Sequence, residues 1–352
     1  MSTKDKFLID IKNGDNVKIS LMIMKIIYKD ASKTVCILAD KSGEVKANIH
    51  SKNEELKVGR VIYVEGSKDG NLDVKKYEFI SNYKAEDYLP TVKRPIEEIM
   101  NEIEEYTNRY VLSREGKALN DYFFKDDEFL EKFKKGIGGV SMHHNYIGGL
   151  AEHTLNVMHL TAMFCERYGC RRSEIAVLAA KLHDIGKIYE LYYDGPFKYT
   201  LRGELEGHIV IALQMLDEAI RKTPGFYSED FVCRIKGCIT QHHGKLEYGS
   251  PREMNMEESF ILNYADSIDA TMNKINQLKD KTESGNWSEY VLKLLIESII
   301  FLLNLENKAR SLASSYIVII FLYSEFKSFK KDSMLDFESS IYDIDNLNDF
   351  IS

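Results

Sequence analysis

The sequence predicts an α+β protein of more than one domain, a small N-terminal β-barrel followed by an all-α body. Three observations carry this. Short apolar-polar alternations separated by turn residues fill the first 82 residues, apolar residues recur at helical spacing from Pro95 onward, and eight of the nine histidines fall between 143 and 243. The 352 residues suffice for about two domains at ~150 residues each. Hydrophobic content of 44% and charged content of 29% describe an ordinary globular chain.

The barrel is read from five strand candidates. Val17–Ile23 is the first, and Thr34–Asp40 runs through a Lys41-Ser42-Gly43 turn into the alternating Glu44–Ile49, which is a hairpin pattern. Arg60–Gly66 and Leu72–Ile80 flank Asp69-Gly70-Asn71 as a second pair. Five short strands in some 70 residues suit a small closed barrel, most commonly an OB-fold. Domain expectations are therefore a nucleic-acid-binding barrel at 1–82, a linker with Pro90 and Pro95 leading into helices at 83–135, a metal-bearing helical domain at 136–290, and a helical or irregular tail at 291–352. Ile96, Ile99, Ile103 and Tyr106 mark one helix, Leu155, Met158, Ala162 and Cys165 another, and Glu257–Ile275 a third.

Composition limits the compartment and the partners. The N-terminus has no apolar core typical of a signal peptide. The uncharged stretch Ser311–Ser324 is short of the ~20 residues that span a bilayer. Five cysteines with no CxxC spacing read as free thiols, so the cytoplasm is expected, with no membrane partner. A net charge of −8 argues against a nucleic-acid partner, but residues 1–94 carry 18 Lys+Arg against 14 Asp+Glu. A mildly basic front on an acidic body is compatible with a module that tracks a phosphate backbone.

The chemistry concentrates at His183-Asp184-Ile185-Gly186-Lys187, which ends the apolar run Ile175–Leu182. An ionised aspartate in such a setting is costly unless it is paired or bound to a cation. The ordered series His153, His183-Asp184, His208, His242-His243, Asp266 supplies imidazoles and carboxylates from successive helical elements, including one carboxylate able to bridge two ions. Two divalent ions so held can activate a water and stabilise a phosphoryl group under attack. Lys187 shares a helix face with Asp184, where its ammonium could hold a phosphate oxygen. Taken singly, each histidine is more often a surface or internally satisfied residue than a ligand, and His143, His144 and His159 are left in that class. The ordered set is much harder to explain without a metal.

The order of these residues, with HDIGK at its centre, resembles the HD superfamily of metal-dependent phosphohydrolases. More closely, His143–Thr154 (HHNYIGGLAEHT), Gly203–His208, Gln241–Gly244, Gly249-Ser250-Pro251 and Tyr264-Ala265-Asp266 resemble the YhaM family of 3′-to-5′ exoribonucleases. The resemblance covers about 12–290 and implies an OB-type domain followed by an HD domain. It further implies hydrolysis of single-stranded RNA from the 3′ end, some activity on single-stranded DNA, and two divalent ions, manganese before cobalt, iron or zinc. A homo-oligomer is compatible with it. Carried over, one ion falls to His153, His183, Asp184 and Asp266. The other falls to bridging Asp184, His208 and one of His242 and His243, His242 before His243. Asp184, Lys187 and His243 are the catalytic residues, His243 either behind the ligands or as a proton donor. That family's chains end soon after the region matched by Asn286–Glu289, whereas this one runs on to Ser352.

The barrel would feed a strand to this centre. Stacking candidates are Tyr28, Tyr63, Tyr77 and Phe79, with Lys25, Lys46 and Lys76 for phosphates. Each aromatic has barrel core as its plainer role. The competing enzyme reading is a cyclic dinucleotide phosphodiesterase or nucleotide phosphohydrolase, which leaves the barrel idle. A non-enzymatic binding protein with a relic metal site is the third, and the full ligand set argues against it.

Overall fold

The computed structural model describes residues 4–279, apart from 31, 52 and 142. The tail expected at 291–352, and the last residues of the domain expected to reach 290, lie outside these. The described residues up to Gln277 form one compact unit.

Five strands, β1 (Asn16–Lys29), β2 (Thr34–Asp40), β3 (Gly43–Ile49), β4 (Val61–Asp69) and β5 (Asn71–Ile80), close into a barrel in the order β1-β2-β3-β5-β4. All neighbours are antiparallel except β3 and β5, where Ala47, Asn48 and Ile49 pair in parallel with Leu72, Asp73 and Val74. The alternation read from the sequence is the inside-outside alternation of the wall. Val45, Ala47 and Ile49 point into a core with Leu21, Leu38 and Val64, while Glu44 and Lys46 face out. β1 runs six residues past the predicted Ile23, because irregularities at Ile23/Lys25 and Ile26/Tyr28 let it keep pairing with β2 after its alternation breaks. Gly66 sits at the β4 bulge, where a Cβ would lie 2.0 Å from the Asp73 carbonyl.

The predicted linker is a packed strap. Tyr88 and Leu89 are buried with Met22 and Val61 from the barrel and Ile147 from the body. The Ile147 amide donates to the Pro90 carbonyl at 2.8 Å, and the Val92 amide donates to the Ile147 carbonyl at 2.8 Å. Proline in this segment ends each local hydrogen-bonding pattern without unravelling it, since the neighbouring groups bond across to the body.

The helical body comprises α1 (Ile96–Tyr110), α2 (Arg114–Phe124), α3 (Asp127–Lys135), α4 (Gly149–Tyr168), α5 (Ser173–Leu182), the single turn α6 (Lys187–Glu190), α7 (Leu201–Arg221), α8 (Glu229–Gln241) and α9 (Glu257–Lys279), with a two-stranded ribbon, β6 (Leu191–Tyr192) and β7 (Lys198–Tyr199), before α7. Ser113, Asp126, Thr200 and Ser228 cap α2, α3, α7 and α8 by accepting a backbone N–H three residues on. α5 is sheathed by the others: every residue of Ile175–Leu182 is buried. This explains why that run, Lys181 apart, is apolar and lacks a polar stripe.

Candidate metal centre

His183 follows the last residue of α5 and keeps helical angles, so its ring Nδ1 reaches the Ala180 carbonyl at 2.8 Å. His242 repeats this at the end of α8, with Nδ1 2.7 Å from the Ile239 carbonyl. Helix ends leave such carbonyls without an intrahelical partner. Here they fix the imidazole tautomer and turn Nε2 inward. Three other rings are set likewise: His153 Nδ1 lies 2.6 Å from Asp269 Oδ2, His208 Nδ1 3.1 Å from Glu190 Oε1, and His243 Nδ1 3.1 Å from the Tyr248 carbonyl. With Nδ1–H spent on an oxygen, Nε2 is the atom each ring offers to the centre.

Two backbone features aim these groups. Gly207 interrupts α7 with φ +73°, so His208 opens a new helical segment, its amide donating to Glu190 Oε1 at 3.0 Å. Gly186 lets that segment approach the α5–α6 turn, since a Cβ there would lie 2.1 Å from the His208 carbonyl.

Asp184 stands between two sets of imidazoles. Its Oδ2 lies 3.4 Å from His153 Nε2 and 3.4 Å from His183 Nε2, while its Oδ1 lies 3.5 Å from His208 Nε2 and 3.8 Å from His242 Nε2. Asp266 Oδ1 reaches His153 Nε2 at 3.2 Å. The donor atoms of His153, His183 and Asp184 lie within 4.8 Å of one another, as do those of His208, His242 and His243. Asp184 Oδ1, His208 Nε2 and His242 Nε2 are buried and lack a hydrogen-bond partner. Buried donors and acceptors are rarely left so. Three orphans facing one another, all of them metal-ligating types, fit a divalent cation.

The electrostatics agree. Burial opposes charge on Asp184, but Lys187 and His183 outweigh it and hold the carboxyl well below the usual range. Burial likewise opposes charge on His153, yet Asp184, Asp266 and Asp269 raise its imidazole well above the ordinary value, so positive charge is favoured there. Burial, then His243 and His183, push His242 well down and keep it neutral.

Lys187 Nζ lies 2.7 Å from Asp184 Oδ2 and donates to the Gly138 carbonyl at 2.8 Å. His159 stands apart, bonded to the Tyr106 hydroxyl. Sequence reasoning assigned no role to Asp269 or Glu190, while His144 is internally satisfied, as expected of it. Asp269 takes His153 Nδ1 and His144 Nε2 on one oxygen and Asn156 on the other. Its position three residues after Asp266, on the same helical face, was the available signal. Glu190 had none, because its contact with His208 depends on the kink at Gly207.

On the barrel, Tyr63, Lys76 and Tyr77 line one hollow of about 540 Å³ with Lys75, Glu65 and Glu78. Tyr28 and Lys46 do not line it; Tyr28 is exposed at the end of β1 with its hydroxyl on Asp30, and Lys46 is exposed on β3. Tyr77 and Phe79 also pack in part against the barrel core. A larger cleft of about 1000 Å³, lined by Lys41, Tyr83, Lys84, Lys135 and Tyr193, opens between barrel, strap and body.

Residues 150–271 match the HD domain family. The chain is 27% identical over 314 residues to the 3′-5′ exoribonuclease YhaM of Geobacillus sp. (strain WCH70), covering 82% of this chain and 93% of that protein. It is 26% identical over 270 residues to the YhaM of Bacillus subtilis (strain 168), covering 73% and 84%. It is also 26% identical over 309 residues to the YhaM of Listeria welshimeri, covering 82% and 96%.

Proposed function

We propose that this chain, YhaM-like over about four-fifths of its length and carrying an HD domain, is a metal-dependent 3′-to-5′ exoribonuclease. Single-stranded RNA is the substrate, single-stranded DNA a secondary one, and the cytoplasm the compartment. No helix among the described residues is long and apolar enough to cross a membrane. The observation that carries the reading is the Asp184 carboxylate, with one oxygen toward His153 and His183 and the other toward His208 and His242.

In this reading His153, His183, Asp184 and Asp266 hold one divalent ion, and Asp184, His208 and His242 hold the second, with manganese as the preferred metal. Such ions, when bound, supply charge stabilisation on phosphoryl oxygens and activation of a water. The chain supplies the rest. Asp269, Ala180, Glu190 and Ile239 hold the rings so that Nε2 faces inward. Lys187, pinned by Asp184 and Gly138, keeps an ammonium at the centre's edge for a phosphate oxygen. His243, half-buried beside His208, is the residue we place next to the leaving oxygen, either behind the ligands or, with Nε2 protonated, as the proton donor. Residues 1–82 serve as the strand-holding domain, with Tyr63, Lys76 and Tyr77 as its first contacts and Tyr28 and Lys46 as outlying ones. Residues 136–290 serve as the catalytic domain.

The test is incubation of the full chain with Mn²⁺ and, side by side, 5′-labelled single-stranded RNA and a cyclic dinucleotide. Stepwise shortening of the RNA from its 3′ end supports the reading. Cleavage of the cyclic dinucleotide with RNA untouched replaces it with the cyclic dinucleotide phosphodiesterase.

A further inference from the structure

The loop joining α3 to α4, residues 136–148, is under backbone strain. His143 and His144 have left-handed angles, φ +38° and +53°, and are the only non-glycine residues with positive φ among those described. Such conformations persist only where the surroundings over-determine them, and they concentrate at sites of function. The surroundings do so here. The His144 amide donates to Asn273 Oδ1 at 2.8 Å, its Nε2 is 2.7 Å from Asp269 Oδ2, and its carbonyl accepts from the Gly138 amide at 2.9 Å. A Cβ on Gly149 would lie 2.1 Å from that carbonyl, so the loop is pressed onto the start of α4.

His144 is spent on Asp269, which leaves His143 as the residue this strained loop delivers. Its side chain is half-buried, and its Nδ1 is buried without a hydrogen-bond partner. Lys187, Lys274, His153 and Asp184 are its charged neighbours. Burial first, then the two lysines, brings its imidazole down to about 4, so the ring is neutral at neutral pH and carries one N–H. If the loop existed only to place His144, glycine would meet the backbone demand at position 143 at less cost than histidine. A neutral donor beside two ammonium groups suits an anion.

We propose that His143 contacts the substrate, its imidazole N–H donating to a non-bridging phosphoryl oxygen beside Lys187 and Lys274, so that these three residues form the phosphate-holding rim of the metal centre. This rests on the phosphodiesterase reading above. It adds to the chain's machinery a histidine that is not among the expected ligands.

The experiment uses the full chain with His143→Gly and His143→Asn. Glycine accepts the φ without strain, so the fold should hold; asparagine tolerates it and keeps an N–H donor. Three quantities are read: metal content and Tm, the affinity of the Mn²⁺-loaded protein for inorganic phosphate, and turnover on single-stranded RNA. For the glycine variant we expect unchanged metal content, a Tm no lower than wild type, phosphate affinity weakened several-fold, and turnover reduced on the order of 10²-fold. The asparagine variant should recover part of both losses. Loss of metal would make His143 a ligand and overturn the proposal. Wild-type phosphate affinity in the glycine variant would overturn it too, whatever happens to turnover. Wild-type protein that binds phosphate and metal yet never shortens RNA would defeat the exoribonuclease reading alone, since the phosphate arm would still score His143.

Discussion

Asp269 backs His153: one of its oxygens lies 2.6 Å from His153 Nδ1, on the ring edge opposite the one that faces Asp184 and Asp266. A carboxylate so placed fixes ring orientation and raises the basicity of the far nitrogen, a contribution generally worth 10- to 100-fold in metal affinity. Asp269→Asn should therefore weaken Mn²⁺ binding by about that factor while the helical CD spectrum is kept. Titration calorimetry reads it directly, and wild-type affinity would reduce Asp269 to a packing group.

Asp184→Asn tests the bridging role. The substitution keeps volume but removes the carboxylate that reaches imidazoles on both sides. Hydrolysis should be abolished, and metal content should fall by at least one ion per chain, as measured by elemental analysis. Near-normal activity with full occupancy would sink the two-ion assignment.

Lys181 gives a pH prediction away from the centre. Its ammonium is buried between Thr107 Oγ1 (2.8 Å) and Asn120 Oδ1 (2.6 Å), 3.9 Å from the Phe124 ring centre. Burial brings its pKa down to about 8 from the ordinary 10.5, against the pull of Glu104 and Asp121. The unfolded chain then binds more protons than the folded one between pH 8 and 10.5, so this residue's contribution to stability rises with pH across that window, by at most ~3 kcal/mol. Lys181→Met should remove the rise. Urea unfolding of both proteins at pH 7.5, 9 and 10.5 measures it, and a stability difference that does not move toward the wild type with pH would count against a charged buried lysine.

Lys76→Ala and Tyr63→Ala probe the barrel hollow. Each should weaken binding of a long single strand while leaving cleavage of a chromogenic phosphodiester unchanged. For the lysine variant, the slope of log affinity against log salt should shrink by about 0.7, the value for one phosphate that is no longer neutralised. Fluorescence anisotropy at several salt concentrations would show this. An unaltered slope for Lys76→Ala would remove that residue from the strand path.

The parts legible in the sequence were those set by short-range periodicity. Glu44–Ile49 alternates because one face of β3 is core, and Ile175–Leu182 is apolar but for Lys181 because α5 is sheathed on all sides. The convergence of the histidines was legible because His183 and His242 each close a helix that ends at the same centre. What the sequence concealed depends on contacts across the chain or on backbone angles. Asp269 meets His153 across 116 positions, and Glu190 meets His208 only because Gly207 breaks α7. β1 outlasts its alternation through two irregularities. The prolines at 90 and 95 look like punctuation between domains, and only the burial of Tyr88 and Leu89 between them and the barrel reveals a strap.

Ile147 belongs to both halves of the molecule. Its backbone is stitched to Pro90 and Val92, its side chain lies against Met22 and Val61 from the barrel, and it ends the loop that carries His143 and His144. Barrel and centre are thus mounted on one frame, with a spacing that does not depend on a flexible tether. A strand gripped by the barrel and cut at the centre must bridge that spacing, and once shortened below it the strand keeps only one hold. Under the proposed function the shared frame would act as a ruler: digestion of long strands should slow at a remnant of constant length, whatever their sequence or starting size.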